Sequence, residues 1–305
     1  MNIKKVELIQ IPADKTPSIY HEKQDPSQIH LSRSSTQERH RSTLTGILYR
    51  SNKNTDVCVI IIHGTEGVFY EDLPGFLAPN LAENGYTSLS INLRNNGKEF
   101  ATSNFEESSI DVKTIVDNVI KKLKFNKIVL IGHSLGSVIS SHYIANNSVK
   151  ELKGFGVFAT AGDLPENTKN NYLGVETYNK RIKEAIESSK LKNGNKLFLM
   201  PFLDEKLPLL TTHNSFLNYR GAKSNAVITK WVKKIKLPIL IVRSSLDVIE
   251  KKWSEKIKKN TINSKQCEFY EIKSKVKEPL EAHCFFGNEL KTIEITLKWL
   301  KKLNL

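Results

Sequence analysis

One stretch, KIVLIGHSLGSVISSHYIA (Lys127–Ala145), restricts the fold more than any other part of the chain. Ile128–Ile131 is an unbroken apolar run, the pattern of a strand buried on both faces of a parallel sheet. Gly132-His133-Ser134-Leu135-Gly136 then predicts a tight reversal, and Val138–Ala145 continues with helical character. Two glycines bracketing one serine let the backbone turn sharply enough to push the hydroxyl out above the sheet. At a helix N-terminus, unpaired N–H groups and the positive end of the helix dipole favour a developing oxyanion beside that hydroxyl. The pentapeptide alone occurs by chance in many chains. The strand before it and the helix after it make Ser134 a candidate nucleophile.

Apolar runs and turn residues place further strands over Lys5–Ile11, Thr43–Arg50, Asp56–Ile62, Tyr86–Leu93, Gly154–Ala161, Pro238–Arg243 and Cys267–Ile272. Helical spacing appears over Leu73–Asn84, ending at Gly85, over Phe105–Phe125, and over Asn288–Leu303. Lys5–Ile11 alternates and reads as an edge strand. Pro12–Arg41, rich in Ser, Gln, His and charge, reads as a long surface loop. Strand–helix alternation implies a doubly wound, mostly parallel eight-stranded sheet with helices on both faces. The alternation lapses over Pro165–Lys236, which holds a predicted helix (Tyr178–Leu191) and a polar–aromatic segment (Thr211–Tyr219). The expected organisation is a core made of 1–164 and 237–305, with 165–236 inserted as a cap.

Composition removes several function classes. Hydrophobic residues make up 39% and charged residues 26% of the 305 positions, as in a soluble globular chain. No run approaches the ~20 apolar residues that a membrane helix needs, and the N-terminus turns polar too early for a secretory signal. A cytoplasmic location is therefore expected. Cys58, Cys267 and Cys284 are too few and scattered for a disulfide framework or a zinc site. The net charge of +14 is mainly lysine spread along helices and loops. Clustered arginine with interleaved aromatics is lacking, so nucleic acid is not the expected partner. Attraction of an acidic partner or anionic substrate is the weaker explanation for this charge, and a solvated surface the simpler one.

A serine hydroxyl needs a base, and the base an orienting carboxylate. In a doubly wound sheet such groups collect beyond the carboxyl ends of strands. Asp247 lies just past the strand Ile239–Val242, and His283 lies between the last strand and the last helix. With HGTEG (His63–Gly67), GHSLG, SSLD and AHCFFGNE in this order, the chain from about Val57 onward resembles the α/β-hydrolase superfamily of serine esterases, lipases and thioesterases. The resemblance implies Ser134 as nucleophile, His283 as base and then acid, and Asp247 as the residue orienting His283. It also implies an oxyanion hole from the backbone N–H groups of Leu135 and Thr65.

HGTEG departs from the HGGG form of some lipases, and Glu66 near an oxyanion hole would have to point away. Asp163, after the Phe155–Ala161 strand, is the alternative acid. Structural roles are expected for His63 and His133. His142 reads as a helix-face residue, His213 as a cap residue, Glu250 as solvated and Cys284 as a bystander. Tyr172, Tyr178, Phe198, Phe202, Phe216 and Tyr219 could line an acyl pocket or form the cap's own core.

The expected function is cofactor-free and metal-free cleavage of a small-molecule carboxylic ester, thioester or amide through an acyl-enzyme. Two alternatives stand beside it. One is an acyltransferase, thioesterase or cyclase on the same triad, served by an acidic carrier protein. The other is a non-catalytic ligand binder on the same fold.

Overall fold

In the computed structural model the described residues are 3–13, 43–202 and 204–305, with the side chains of 202–207 left out of the description. The expected long loop over Pro12–Arg41 therefore falls almost wholly outside them. The strands are β1 (Ile3–Pro12), β2 (Thr43–Ser51), β3 (Val57–Ile62), β4 (Thr87–Ile91), β5 (Lys127–His133), β6 (Leu152–Phe158), β7 (Leu197–Phe202), β8 (Asp204–Thr212), β9 (Ile239–Ser244) and β10 (Cys267–Ile272).

Eight of them form one sheet in the order β1-β2-β4-β3-β5-β6-β9-β10. The β1–β2 and β2–β4 pairs are antiparallel, and every pair from β4 to β10 is parallel. The doubly wound eight-stranded sheet expected from the alternation is the one found, with β1 as its edge strand. The order reverses direction around β3 and β5, so the crevice at their carboxyl ends is where the topology opens a binding site.

The two-residue period of β3 and β5 explains why both strands are continuously apolar. Cys58, Ile60, Ile62, Ile128 and Leu130 enter the core on one face, while Val57, Val59, Ile61, Val129 and Ile131 enter the core on the other. Each such side chain, fully withdrawn from water, contributes about 1.5–3 kcal/mol.

The first core packs against α2 (Phe105–Lys121) through Val112, Ile115, Val116 and Val119, and against α3 (Leu135–Asn146) through Val138, Ile139 and Tyr143. The second packs against α1 (Asp72–Glu83) and the closing helix, here α10 (Glu289–Lys302). Local signals set the helix ends. Asn104 caps α2 by accepting from the Glu107 N–H at 2.9 Å. Gly85, at φ +105, lets the chain leave α1 in a left-handed conformation.

Between β6 and β9 the chain leaves the sheet. It forms the short helix α4 (Leu164–Asn167), a π-helical turn (Thr168–Tyr172), α5 (Val175–Lys190), the antiparallel hairpin β7–β8, α6 (His213–Arg220) and α7 (Ile228–Val232). The predicted helix Tyr178–Leu191 is thus α5, and most of the polar–aromatic segment is α6. Met200, Leu209, Phe216, Tyr219 and Ile228 of this insertion join the same apolar core as α2 and α3.

Outside the insertion two helices have no counterpart in the periodicity reading, α8 (Lys251–Asn260) and α9 (Pro279–His283), and within it α4, α6 and α7 likewise lack one. α8 is amphipathic around Trp253 and Ile257 but lysine-rich, and α9 is too short to show a period. The predicted strand to Ala161 stops earlier, at Phe158, because Ala159 turns to φ +42. No helix among the described residues is long and apolar enough to cross a membrane.

Candidate active site

Ser134 sits between β5 and α3 with φ +51 and ψ −120, a conformation that is costly for a residue with a Cβ. Its own N–H is held by the Phe158 carbonyl at 2.9 Å, and Ser137 donates to the Ser134 carbonyl through both N–H and hydroxyl. The flanking glycines are needed for close approach. A Cβ on Gly132 would lie 2.4 Å from the Ser137 nitrogen, and one on Gly136 would lie 2.4 Å from the His63 carbonyl oxygen. The turn therefore packs against the end of β3 with no room for another carbon.

Asp247 and His283 come from separate loops at the same end of the sheet. The Asp247 loop is clamped on three sides. Its Oδ1 accepts from the Ile249 N–H at 2.8 Å, Arg243 donates to the Ile249 carbonyl at 3.2 Å, and the Ser245 N–H reaches the Ile272 carbonyl at 2.8 Å. His283 ends α9. Its Nδ1 lies 2.8 Å from Asp247 Oδ1, with both side chains almost completely buried. The carboxylate accepts here, so Nδ1 carries a proton, and the neutral tautomer that fits this contact has its lone pair on Nε2. Its backbone carbonyl accepts from His133 Nε2 at 3.1 Å. The alternative acid, Asp163, is occupied by the insertion, accepting from the N–H and hydroxyl of Thr229.

Ser134 and His283 line one narrow cleft of about 90 Å³, together with Thr65, Leu164, Tyr172 and Arg220. Leu135 is the first residue of α3, so its N–H has no acceptor one turn back. Thr65 lines the cleft from the HGTEG turn, which closes through Gly67 N–H to the Gly64 carbonyl at 3.2 Å. Gly64 abuts the nucleophile, since a Cβ there would stand 2.9 Å from Ser134 Cβ. Glu66, the residue of concern beside an oxyanion hole, is exposed and is not among the cleft residues.

The other histidines are committed to structure. His63 is buried, its Nδ1 donating to the Gly64 carbonyl at 2.8 Å and its Nε2 accepting from Leu93 N–H at 3.1 Å. Burial lowers its pKa to about 4, and burial with the neighbouring His283 lowers that of His133 to about 4. His142 bonds Ser109 on the α3 face, and His213 stacks on Phe198. Glu250 is exposed and pairs with Lys252. The Cys284 thiol is pushed up by burial and by the adjacent Asp72 carboxylate, which keeps it a protonated wall residue.

Of the aromatic residues in the insertion, Tyr172 lines the cleft. Tyr178, Phe216 and Tyr219 are buried, Phe198 packs against the core, and the side chain of Phe202 is not among those described. Asp72 and Arg220 are the charged cleft residues that the motif reading missed. Nothing in their immediate sequence separates them from the many other charged positions. Among the described residues no group of three His, Cys, Asp or Glu is arranged to hold a metal ion.

Comparison with known proteins agrees with this architecture. Residues 57–174 match a family model described as alpha/beta hydrolase fold. Est1E from Butyrivibrio proteoclasticus, solved with ferulic acid bound, superposes with a TM-score of 0.66 at 20% identity, covering 86% of this chain and 95% of that one. A soluble variant of monoglyceride lipase from Saccharomyces cerevisiae, in complex with a substrate analog, gives 0.65 at 15% identity over 86% and 91% of the two chains. The siderophore hydrolase EstB from Aspergillus fumigatus gives 0.61 at 14% identity over 85% and 94%. Curated protein sequences yield no match. With a parallel sheet opening at β3 and β5, a strained serine at the β5–α3 turn and neighbours that share the whole architecture, the chain has the alpha/beta hydrolase fold.

Proposed function

We propose that the protein is a serine hydrolase that cleaves a carboxylic ester, thioester or amide of a small molecule through an acyl-enzyme. One observation carries the reading. A serine held at positive φ shares a cleft with a histidine whose far nitrogen is fixed at 2.8 Å by a buried carboxylate. A packing role would not call for a strained serine, and a buried Asp–His pair beside an open cleft is the arrangement a general base requires.

In the proposed reaction Ser134 Oγ attacks the substrate carbonyl carbon while its proton passes to His283 Nε2. Asp247 holds Nδ1–H and stabilises the imidazolium that results. The tetrahedral oxyanion is received by the N–H groups of Leu135 and Thr65. Collapse expels the leaving group, which takes the proton from Nε2. Water then attacks the acyl carbon, giving its proton to Nε2, and the second collapse returns that proton to Ser134 Oγ and frees the acid. The segment between β6 and β9, which contributes Leu164, Tyr172 and Arg220 to the cleft, acts as the cap that selects the substrate.

Labelling with a fluorophosphonate tests the reading directly. The expected result is one covalent adduct on Ser134, absent from Ser134→Ala and strongly slowed in His283→Ala. An unlabelled wild-type protein that also leaves 4-nitrophenyl esters and acyl thioesters intact would exclude the mechanism and leave the fold as a binder.

A further inference from the structure

Three arginines among the described residues, Arg94 partly buried and Arg243 and Arg220 fully so, allow comparison. Arg94 donates to both oxygens of the buried Asp111, with Nη2 at 2.6 Å from Oδ1. Arg243 pairs with Glu271 and also reaches the Ile249 carbonyl. Arg220 is different. It is 1% exposed, yet its Nε and Nη1 have no hydrogen-bond partner.

The charged or ionisable groups that influence Arg220 are the phenols of Tyr172 and Tyr219, and no carboxylate among the described residues pairs with it. Phe100 lies under the guanidinium, with Cζ 5.8 Å from the ring centroid. That contact satisfies the face of the cation and leaves the N–H groups of Nε and Nη1 unused. Burial lowers the pKa only to about 10, so the group is cationic at neutral pH.

A buried cation with unused donors is costly, and chains keep one only where something completes it. Arg220 also lines the cleft that holds Ser134 and His283. It is anchored there at the end of α6, where its backbone carbonyl accepts from the buried Tyr178 hydroxyl at 2.6 Å. The one acid among the cleft residues, Asp72, acts on Cys284 and His133 and is not among the charges felt by Arg220.

Resting on the hydrolase reading above, we propose that Arg220 receives a carboxylate of the substrate, so that the preferred substrates are esters or thioesters bearing a free carboxylate away from the scissile carbonyl. A guanidinium presents parallel N–H groups in the spacing of a carboxylate's two oxygens, which is why arginine suits this task better than lysine. The low-dielectric wall strengthens the pairing, and the substrate carboxylate supplies the counter-charge that the chain itself withholds.

The test separates binding from chemistry. Titration calorimetry of Ser134→Ala with succinate, glutarate, adipate and suberate should show binding of at least one dicarboxylate. Removing the guanidinium in Ser134→Ala/Arg220→Met should weaken that binding by about 10–100-fold. In the active protein, kcat/KM for mono-4-nitrophenyl adipate should exceed that for the matched neutral 4-nitrophenyl hexanoate. This ratio should fall by a similar factor in Arg220→Met, mostly through KM, and partly recover in Arg220→Lys.

No dicarboxylate binding to Ser134→Ala, equal binding with and without the guanidinium, or wild-type preference for the neutral ester would overturn the proposal. Should Arg220→Met not fold, the wild-type ratio and the Ser134→Ala titration still decide it. Arg220-dependent binding without labelling or turnover would sink the hydrolase reading and leave the carboxylate site standing.

Discussion

The rim of the sheet and the segment inserted between β6 and β9 treat their arginines in opposite ways. At the rim three charged pairs are closed inside the chain. His283 has Asp247, Arg243 has Glu271, and Arg94 has Asp111. In the insertion Arg220 Nε and Nη1, His213 Nδ1, Thr168 Oγ1 and Ser215 Oγ are buried without hydrogen-bond partners.

The contrast separates two kinds of work. Groups that must hold a fixed geometry for proton transfer are tied down before substrate arrives, which keeps reorganisation small during reaction. A group left unsatisfied on a pocket wall stores its interaction for whatever enters. On the proposed reading, substrate recognition belongs to the insertion and reactivity to the rim.

This division can be broken in order of effect. Ser134→Ala should lower kcat by roughly 10⁴–10⁶-fold while leaving the unfolding midpoint in urea close to wild type. Retained esterase turnover would remove reactivity from the rim altogether. Asp247→Asn should cost about 10⁴-fold in kcat with little change in KM, because the orienting acceptor for Nδ1–H is lost. A change confined to KM would place Asp247 among the binding groups instead.

Asp111→Ala should act on stability rather than chemistry. Losing the charge-assisted hydrogen bonds between Asp111 and Arg94 should cost about 1.5–3 kcal/mol, read from denaturant unfolding. A smaller loss would mean that rim pairs are no more tied down than the groups of the insertion.

The buried histidines add a pH test. The pKa values of His63 and His133 fall from 6.5 to about 4 on folding. Between those values the unfolded chain binds the protons and the folded chain does not. Stability is therefore full above about pH 6.5 and is lost as pH drops toward 4, by up to about 3 kcal/mol per histidine. Unfolding of wild type and His63→Gln at pH 7.5 and 4.5 should show a shallower pH dependence in the variant. Parallel slopes would mean His63 is not held neutral.

The smallest expected effect is at Gly136. An alanine Cβ would press on the His63 carbonyl at 2.4 Å, so Gly136→Ala should destabilise by about 1–3 kcal/mol as the turn shifts. Activity should fall with it, because Leu135 N–H moves too.

Much of the rim was legible in the chain because its signals are local. Ile128–Ile131 is apolar on both pleats, Gly132 and Gly136 mark a turn without room for a Cβ, and Gly85 ends α1 in a left-handed conformation. Backbone geometry of this kind depends on a few adjacent residues. Asp247 and His283 could be ranked by their places after strands, but their 2.8 Å contact is a meeting of two loops far apart in sequence. α9, which carries His283, is five residues long and shows no period to read.

By itself the amino-acid sequence determined the eight-stranded alternation, the serine turn and the order of the candidate groups, because pleat, turn and cap preferences are written residue by residue. The tertiary structure alone decided that Asp247 rather than Asp163 faces His283, that Glu66 turns to solvent, and that Arg220 is buried unpaired in the cleft. Each of those depends on which distant segments pack together and exclude water. Burial, not residue type, turns an arginine in a lysine-rich chain into a buried cation awaiting a counter-charge.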